Sequence, residues 1–191
     1  MDRRDLISAP RELHTERLRL QSPRPEHAAL FVESLLRSLP TLRFIGWGQV
    51  ERDLAWSIEF CRHGAELVET GECLIFNAFH DARYVGRIDL HSFDFEAPRG
   101  EVGYVGDVAT SGQGLMREAV LAVMALGFSL GLVRIQALSD ARNPRALHFA
   151  EHALGMQREA VLRAFERDPQ GQMTDMVMFA AWPSNEHAGD T

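Results

Sequence analysis

The chain has 191 residues, 46% of them apolar and 25% charged, a balance that suits one globular domain with a substantial core. A formal net charge of −7 excludes a general nucleic-acid binder, because neutralising phosphates needs a basic face. All 20 basic residues are arginine, which excludes lysine Schiff-base chemistry and a Walker A phosphate loop.

Residues 1–13 and 183–191 are polar and are expected to be loose, leaving one domain over 14–182. The opening "MDRRDLISAP" has no apolar h-region, so no leader peptide is expected. No apolar run is long enough to span a membrane. The alternating "ERLRLQS" at 16–22 reads as a strand. "PEHAALFVESLLRSL" reads as a helix with Pro25 at its start. "PTLRFIGWGQ" is loop-like, with Gly46 and Gly48 around Trp47. "VERDLAWSIEFCRHGAELVETG" has helical apolar spacing and stops at Gly71. Cys61 and Cys73 form no C-x-x-C pair and read as reduced thiols, so the expected location is the cytoplasm.

Three strands follow: "CLIFNAFH", "RYVGRIDLHSF" and "GEVGYVGDV". The strongest helix runs from about 114 to 130, with Leu115, Met116, Ala119, Val120, Val123 and Met124 on one apolar face. "VRIQALS" is a short strand, and "NPRALHFAEHAL" is a helix with Asn143 as N-cap and Pro144 at its first position. "MQREAVLRAFE" and "MTDMVMFAAW" close the chain as strands. The order β-α-α-β-β-β-α-β-α-β-β makes an α/β chain, a mixed sheet with helices on its faces.

The run "YVGDVATSGQGLMREAV" goes strand, loop, Gly-x-Gly, helix. A helix start exposes unpaired N–H groups and partial positive charge, and glycine lets a ligand approach the backbone. The combination suits a phosphate or pyrophosphate, although a plain tight turn explains it too. Residue 117 is arginine where a dinucleotide fingerprint needs a third glycine, so that reading fails. Arg117 in the first helical turn opposes the dipole unless an anion lies nearby.

From these segments the chain resembles the GNAT acetyltransferases, and within them the Rim-type branch that acetylates ribosomal-protein N-termini. "HTERLRLQSPRPEHAALF", "VGRIDLHSFD", "EVGYVGDVATSGQGLMREA", "NPRALHFAEHALGM", "REAVLRA" and "TDMVMFAAW" follow that branch's order. The resemblance implies a mostly antiparallel sheet of about seven strands with about four helices, and an acetyl-CoA-dependent N-acetyltransferase. It implies direct attack by a primary amine in a ternary complex. The backbone of Val105, Gly106, Asp107 and Val108 would pair with the pantetheine arm. Ser111, Gly112, Gln113, Gly114, Leu115, Met116 and Arg117 would hold the pyrophosphate, and Asn143 would face the arm near the thioester. Three departures stand out. Ala109 and Ser111 replace the branch's side chains before the first glycine, Ala146 replaces a serine, and one extra residue lies between Asn143 and Gly155.

Acetyl transfer needs a polarised carbonyl, a neutral amine and a stabilised thiolate. Glu159 is the expected base by resemblance, with Glu101 second. No acid is assigned, since alternation points Tyr104 away from the face of Val105. Trp47, Phe44 and Trp56 are read as acceptor-pocket residues or, alternatively, as packing. His148 and His152 are one helical turn apart but lack the HExxH order, so no metal is expected. A non-catalytic acyl-CoA sensor and a transferase for another acyl group stay open as alternatives. No nucleic-acid or membrane partner is expected, and monomer and homodimer are both compatible with the chain.

Overall fold

The structure, a computed structural model, describes residues 1–45 and 52–183. Gly46, Trp47 and Gly48 lie outside the described residues, as do 184–191 of the expected tail. Eight strands form one sheet in the order β1-β2-β3-β4-β5-β6-β8-β7. They are β1 Glu12–His14, β2 Arg19–Gln21, β3 Leu74–His80, β4 Arg83–Asp94, β5 Arg99–Gly106, β6 Arg134–Asp140, β7 Gln157–Arg167 and β8 Met173–Ala181. Every neighbouring pair is antiparallel except β5 and β6. Among the described residues the helices are α1 Arg3–Ser8, α2 Ala28–Ser38, α3 Leu54–Glu69, α4 Leu115–Ser129 and α5 Pro144–His148. The GNAT-like mixed architecture expected from the sequence is present, with one more strand and one more helix than expected.

Both additions come from residues 1–14, so the stretch 1–13 is not loose. Asp2 and Asp5 close a capping box around α1. Leu6 is fully buried, and β1 pairs with β2 as the sheet's first strand. Polar composition hid this because a single turn of helix needs only one apolar anchor.

β3 is buried along almost its whole length, which explains its nearly continuous apolar run "LIFNAF". α3 covers one face of it and α4 the other. The expected face of α4 is buried at Leu115, Ala119, Val120, Val123 and Met124, each worth about 1–3 kcal/mol depending on size. Met116 sits apart from that face. It lies over Gly86 of β4 and Gly106 of β5, where a Cβ on Gly106 would come 2.8 Å from Met116 Cγ. These two glycines let the first turn of α4 settle on the sheet.

The helix expected over 143–154 is in two parts. Pro25 and Pro144 occupy first positions as expected, Pro25 opening a 3-10 turn that leads into α2. Asn143 caps α5, its Oδ1 accepting from Ala146 N at 3.2 Å. After His148 the chain widens into a π turn, Phe149–Ala153, closed by Leu154 N donating to Phe149 O at 2.9 Å. A π turn takes up one residue more than an α turn. That matches the extra residue between Asn143 and Gly155.

Candidate active site

β5 and β6 pair only over Arg99, Gly100 and Glu101 against Arg134, Ile135 and Gln136. Beyond that point the two strands part, while β5 stays paired with β4 as far as Gly106. One edge of β5 therefore faces a cleft. Asp107 N donates to Val85 O at 2.8 Å, which sets the phase of the ladder. Antiparallel alternation then turns the peptide groups of Tyr104 and Gly106 toward the cleft and those of Val105 toward Arg87 of β4.

This phase redistributes the expected backbone contacts. Val105 and Gly106 line the cleft, but the N–H of Val105 faces β4. Asp107 N–H is taken by Val85, and Val108 N–H donates to Ser38 Oγ at 3.1 Å. Asp107 and Val108 thus anchor the loop to its own fold. The Asp107 carboxylate is buried, which by itself would raise its pKa. Hydrogen bonds from Arg37, Ala109 N–H and Ser34 outweigh the burial and hold it below the usual carboxylate range. Arg37, near the end of α2, fixes where the glycine loop begins.

Gly112 and Gly114 have φ of +77° and +74°, the left-handed region that favours glycine. Gly114 is the N-cap of α4 and gives no side-chain cap. Among the described residues, no protein acceptor takes the N–H of Gly112, Gln113, Gly114, Leu115, Met116 or Arg117, while Ser111 N–H bonds back to Val108 O. Six neighbouring donors on a left-handed loop and a helix start form a fitting cradle for a diphosphate. The main-chain N–H of Arg117 belongs to this cradle, while its side chain turns to the π turn that follows α5. Its Nε donates to Ala153 O at 2.7 Å.

Arg145 supplies charge there instead. From α5 its Nη2 donates to Ser111 Oγ at 2.8 Å, and Arg17 Nη1 donates to Gln113 O at 3.0 Å. The sequence reading missed both. Arg145 carries the same signal as Arg117, a cation in the first turn of a helix, and could have been found by it.

The cleft has two halves. One, of about 250 Å³, is lined by Val105, Gly106, Met116, Arg145 and His148. The other, of about 320 Å³, is lined by Phe44, Glu101, Gly103, Ser139 and Glu166. Ile45, Tyr104, Asn143 and Ala146 belong to both, so the halves meet at the fork of the strands.

Glu101, Asp140 and Glu166 all line the second half, and among them Asp140 is held by Arg142. Burial pushes the pKa of Glu101 up, the charges of Glu166 and Asp89 add to that, and His91 and a 3.5 Å hydrogen bond from Gln136 Nε2 oppose it. Glu159 lines neither half. It stands on β7, where Arg134 Nη1 donates to it at 2.9 Å and holds its pKa low. Phe44 lines the cleft, whereas Trp56 stacks on Phe60 at 4.8 Å in a separate aromatic cluster with Phe31. The rings of His148 and His152 are 4.6 Å apart, and among the described residues no cluster of three or more His, Cys, Asp or Glu gathers as a metal would need.

The profile of the Acetyltransferase (GNAT) domain family matches residues 17–157. An uncharacterized N-acetyltransferase p20 of Bacillus licheniformis is 32% identical over 106 residues, 55% of this chain and 58% of that protein. The alignment therefore spans little more than half of that relative. Among solved structures, the microcin C7 self-immunity acetyltransferase MccE with acetyl-CoA and AMP aligns with a TM-score of 0.81 at 15% identity, over 88% of this chain and 93% of that one. RimL, the ribosomal L7/L12 alpha-N-protein acetyltransferase with coenzyme A, aligns at 0.79 and 18%, over 88% and 95%. The ribosomal-protein-S5-alanine acetyltransferase of Vibrio fischeri aligns at 0.76 and 18%, over 91% and 97%. These likenesses bear on the fold. The match over residues 17–157, with the forked strands and the glycine cradle, establishes that this chain belongs to the GNAT acetyltransferase family.

Proposed function

We propose that the protein moves an acetyl group from acetyl-CoA to a primary amine, on a protein N-terminus or a small molecule, by direct attack in a ternary complex. The observation that carries this reading is the parting of β5 from β6. It opens a cleft with an anion cradle at one end and a half-buried carboxylate on the far side. When bound, acetyl-CoA supplies an activated acyl thioester. The peptide groups of Tyr104 and Gly106 hold the arm as an added strand. The N–H groups from Gly112 to Arg117, with Arg145, hold the diphosphate. Asn143, already the cap of α5, borders the arm where the halves meet.

Glu101 takes the base role in this proposal, in place of Glu159. It borders the second half, and its raised pKa makes it a better proton acceptor than an ordinary carboxylate. An N-terminal amine with a pKa near 8 is about one-tenth neutral at pH 7 and asks little of a base. A lysine amine costs roughly 4–5 kcal/mol to deprotonate there. The α-amine is therefore the easier acceptor. RimL and the S5-alanine enzyme are named for ribosomal proteins, and a protein N-terminus is the narrower form of this proposal. The reading places the work in the cytoplasm, which the two free cysteines support.

A second reading, an acyl-CoA sensor without turnover, draws on Ala146, which puts no hydroxyl where the two halves meet. One experiment separates them. Purified protein is mixed with acetyl-CoA and a panel of amines and peptide N-termini, and free thiol is followed. Acceptor-dependent thiol release is the expected result. Tight acetyl-CoA binding without release on any acceptor supports the sensor, and absence of binding removes both.

A further inference from the structure

Tyr104 is an unusual tyrosine. Its hydroxyl is buried, yet among the described residues it has no hydrogen-bond partner. Buried hydroxyls in folded proteins nearly always have a partner, and an unpaired one destabilises the fold that contains it. Ser22 Oγ and Arg52 Nε share this condition, but neither residue borders either half of the cleft. Tyr104 borders both halves, at the fork of β5 and β6, beside Ala146 and Asn143. Its ring is held against Phe149 of the π turn with centroids 5.1 Å apart.

We infer that the Tyr104 hydroxyl is a binding donor for the acyl-thioester arm, gaining its hydrogen-bond partner only when the cleft is filled. This rests on the functional reading above and adds a residue to it. Strand alternation puts Tyr104 and Val105 on opposite faces of the sheet. The cleft, however, is a gap in the sheet and is bordered from both faces.

Donation, not proton transfer, is the role its surroundings allow. Burial pushes the phenol up to about 12, against a reference thiol near 8.5. Handing its proton to a thiolate would run about three powers of ten uphill, so the hydroxyl keeps its proton. At any working pH it is an O–H donor whose partner would be a carbonyl, an amide or sulfur of the arm.

The test is Tyr104→Phe, which removes one oxygen and leaves the ring. Ligand-free thermal melts are compared with calorimetric titrations of acetyl-CoA and of CoA. The expected result is a melting temperature equal to or above the parent's, with acetyl-CoA bound about three- to tenfold more weakly. Equal weakening for CoA places the partner on the pantetheine arm, and weakening for acetyl-CoA alone places it on the acetyl carbonyl. A lower melting temperature overturns the inference, because the hydroxyl then has a structural partner such as a buried water. Unchanged affinity for a parent that binds overturns this inference alone. No heat from the parent overturns the functional reading and the inference together.

Discussion

At the scale of single residues, two glutamates stand in different surroundings. Both are carboxylates on strands, and the sequence ranked Glu159 first by resemblance. Glu159 is neutralised by Arg134 at the far edge of the sheet, while Glu101 borders the cleft with its pKa raised mainly by burial. Glu101→Gln is expected to lower kcat/KM about 100-fold or more while leaving acetyl-CoA affinity unchanged, and Glu159→Gln to change kcat/KM less than twofold. The acidic limb of the rate profile should lie above 4.5, the ordinary glutamate value, since the proposed base role requires Glu101 ionised. Stability follows the opposite sense. A carboxyl whose folded pKa is raised contributes stability below its unfolded value and loses it as pH rises through the folded one. Glu101→Gln should therefore melt higher than the parent at neutral pH. Arg145→Ala should weaken acetyl-CoA binding about tenfold, with a shallower salt dependence, as titration at two ionic strengths would show.

At the scale of elements, close contact explains why particular glycines sit where they do. A Cβ on Gly86 would meet Val105 O at 2.6 Å, a backbone atom that cannot swing away. Gly86→Ala is expected to cost about 1–3 kcal/mol in denaturant unfolding and to lift the first turn of α4, weakening acetyl-CoA binding as well. Gly112→Ala meets no atom within 4 Å and should cost only the left-handed strain, about 1–2 kcal/mol. Comparing the two separates crowding from backbone strain. The strands and long helices were legible because period-2 and period-3.6 patterns are local. The π turn was not. It appears in the sequence only as one surplus residue, and hydrogen-bond geometry decides where such a residue is absorbed.

At the scale of the whole molecule, buried polar pairs tie the layers together and set the response to acid. His27 Nδ1 lies 3.1 Å from Asn77 Nδ2, and Tyr84 Oη donates to Asn77 Oδ1 at 3.0 Å. Burial, and after it the charge of Arg24, depress the pKa of His27 below 6.5. Its contribution is complete above that value and is lost as pH falls through the folded value, because the unfolded chain then binds the extra proton. Asp140 is held low by Arg142, and Asp107 by Arg37 against its own burial, so their contributions are complete above 3.8 and fade below it. Thermal melts should thus decline in two stages on acidification, and His27→Gln should remove the first. Composition, periodicity and caps by themselves determined the class of fold, the order of nearly all its elements, the glycine loop at the start of α4 and Asn143 at the start of α5. All of these depend on residues close together in the chain. Only the tertiary structure decided which peptide groups of β5 face the cleft, that the side chain of Arg145 rather than that of Arg117 reaches the loop, and that Glu101 rather than Glu159 borders the cavity. Each of those depends on strand phase and on where β5 leaves β6, and both are set by partners dozens of residues away.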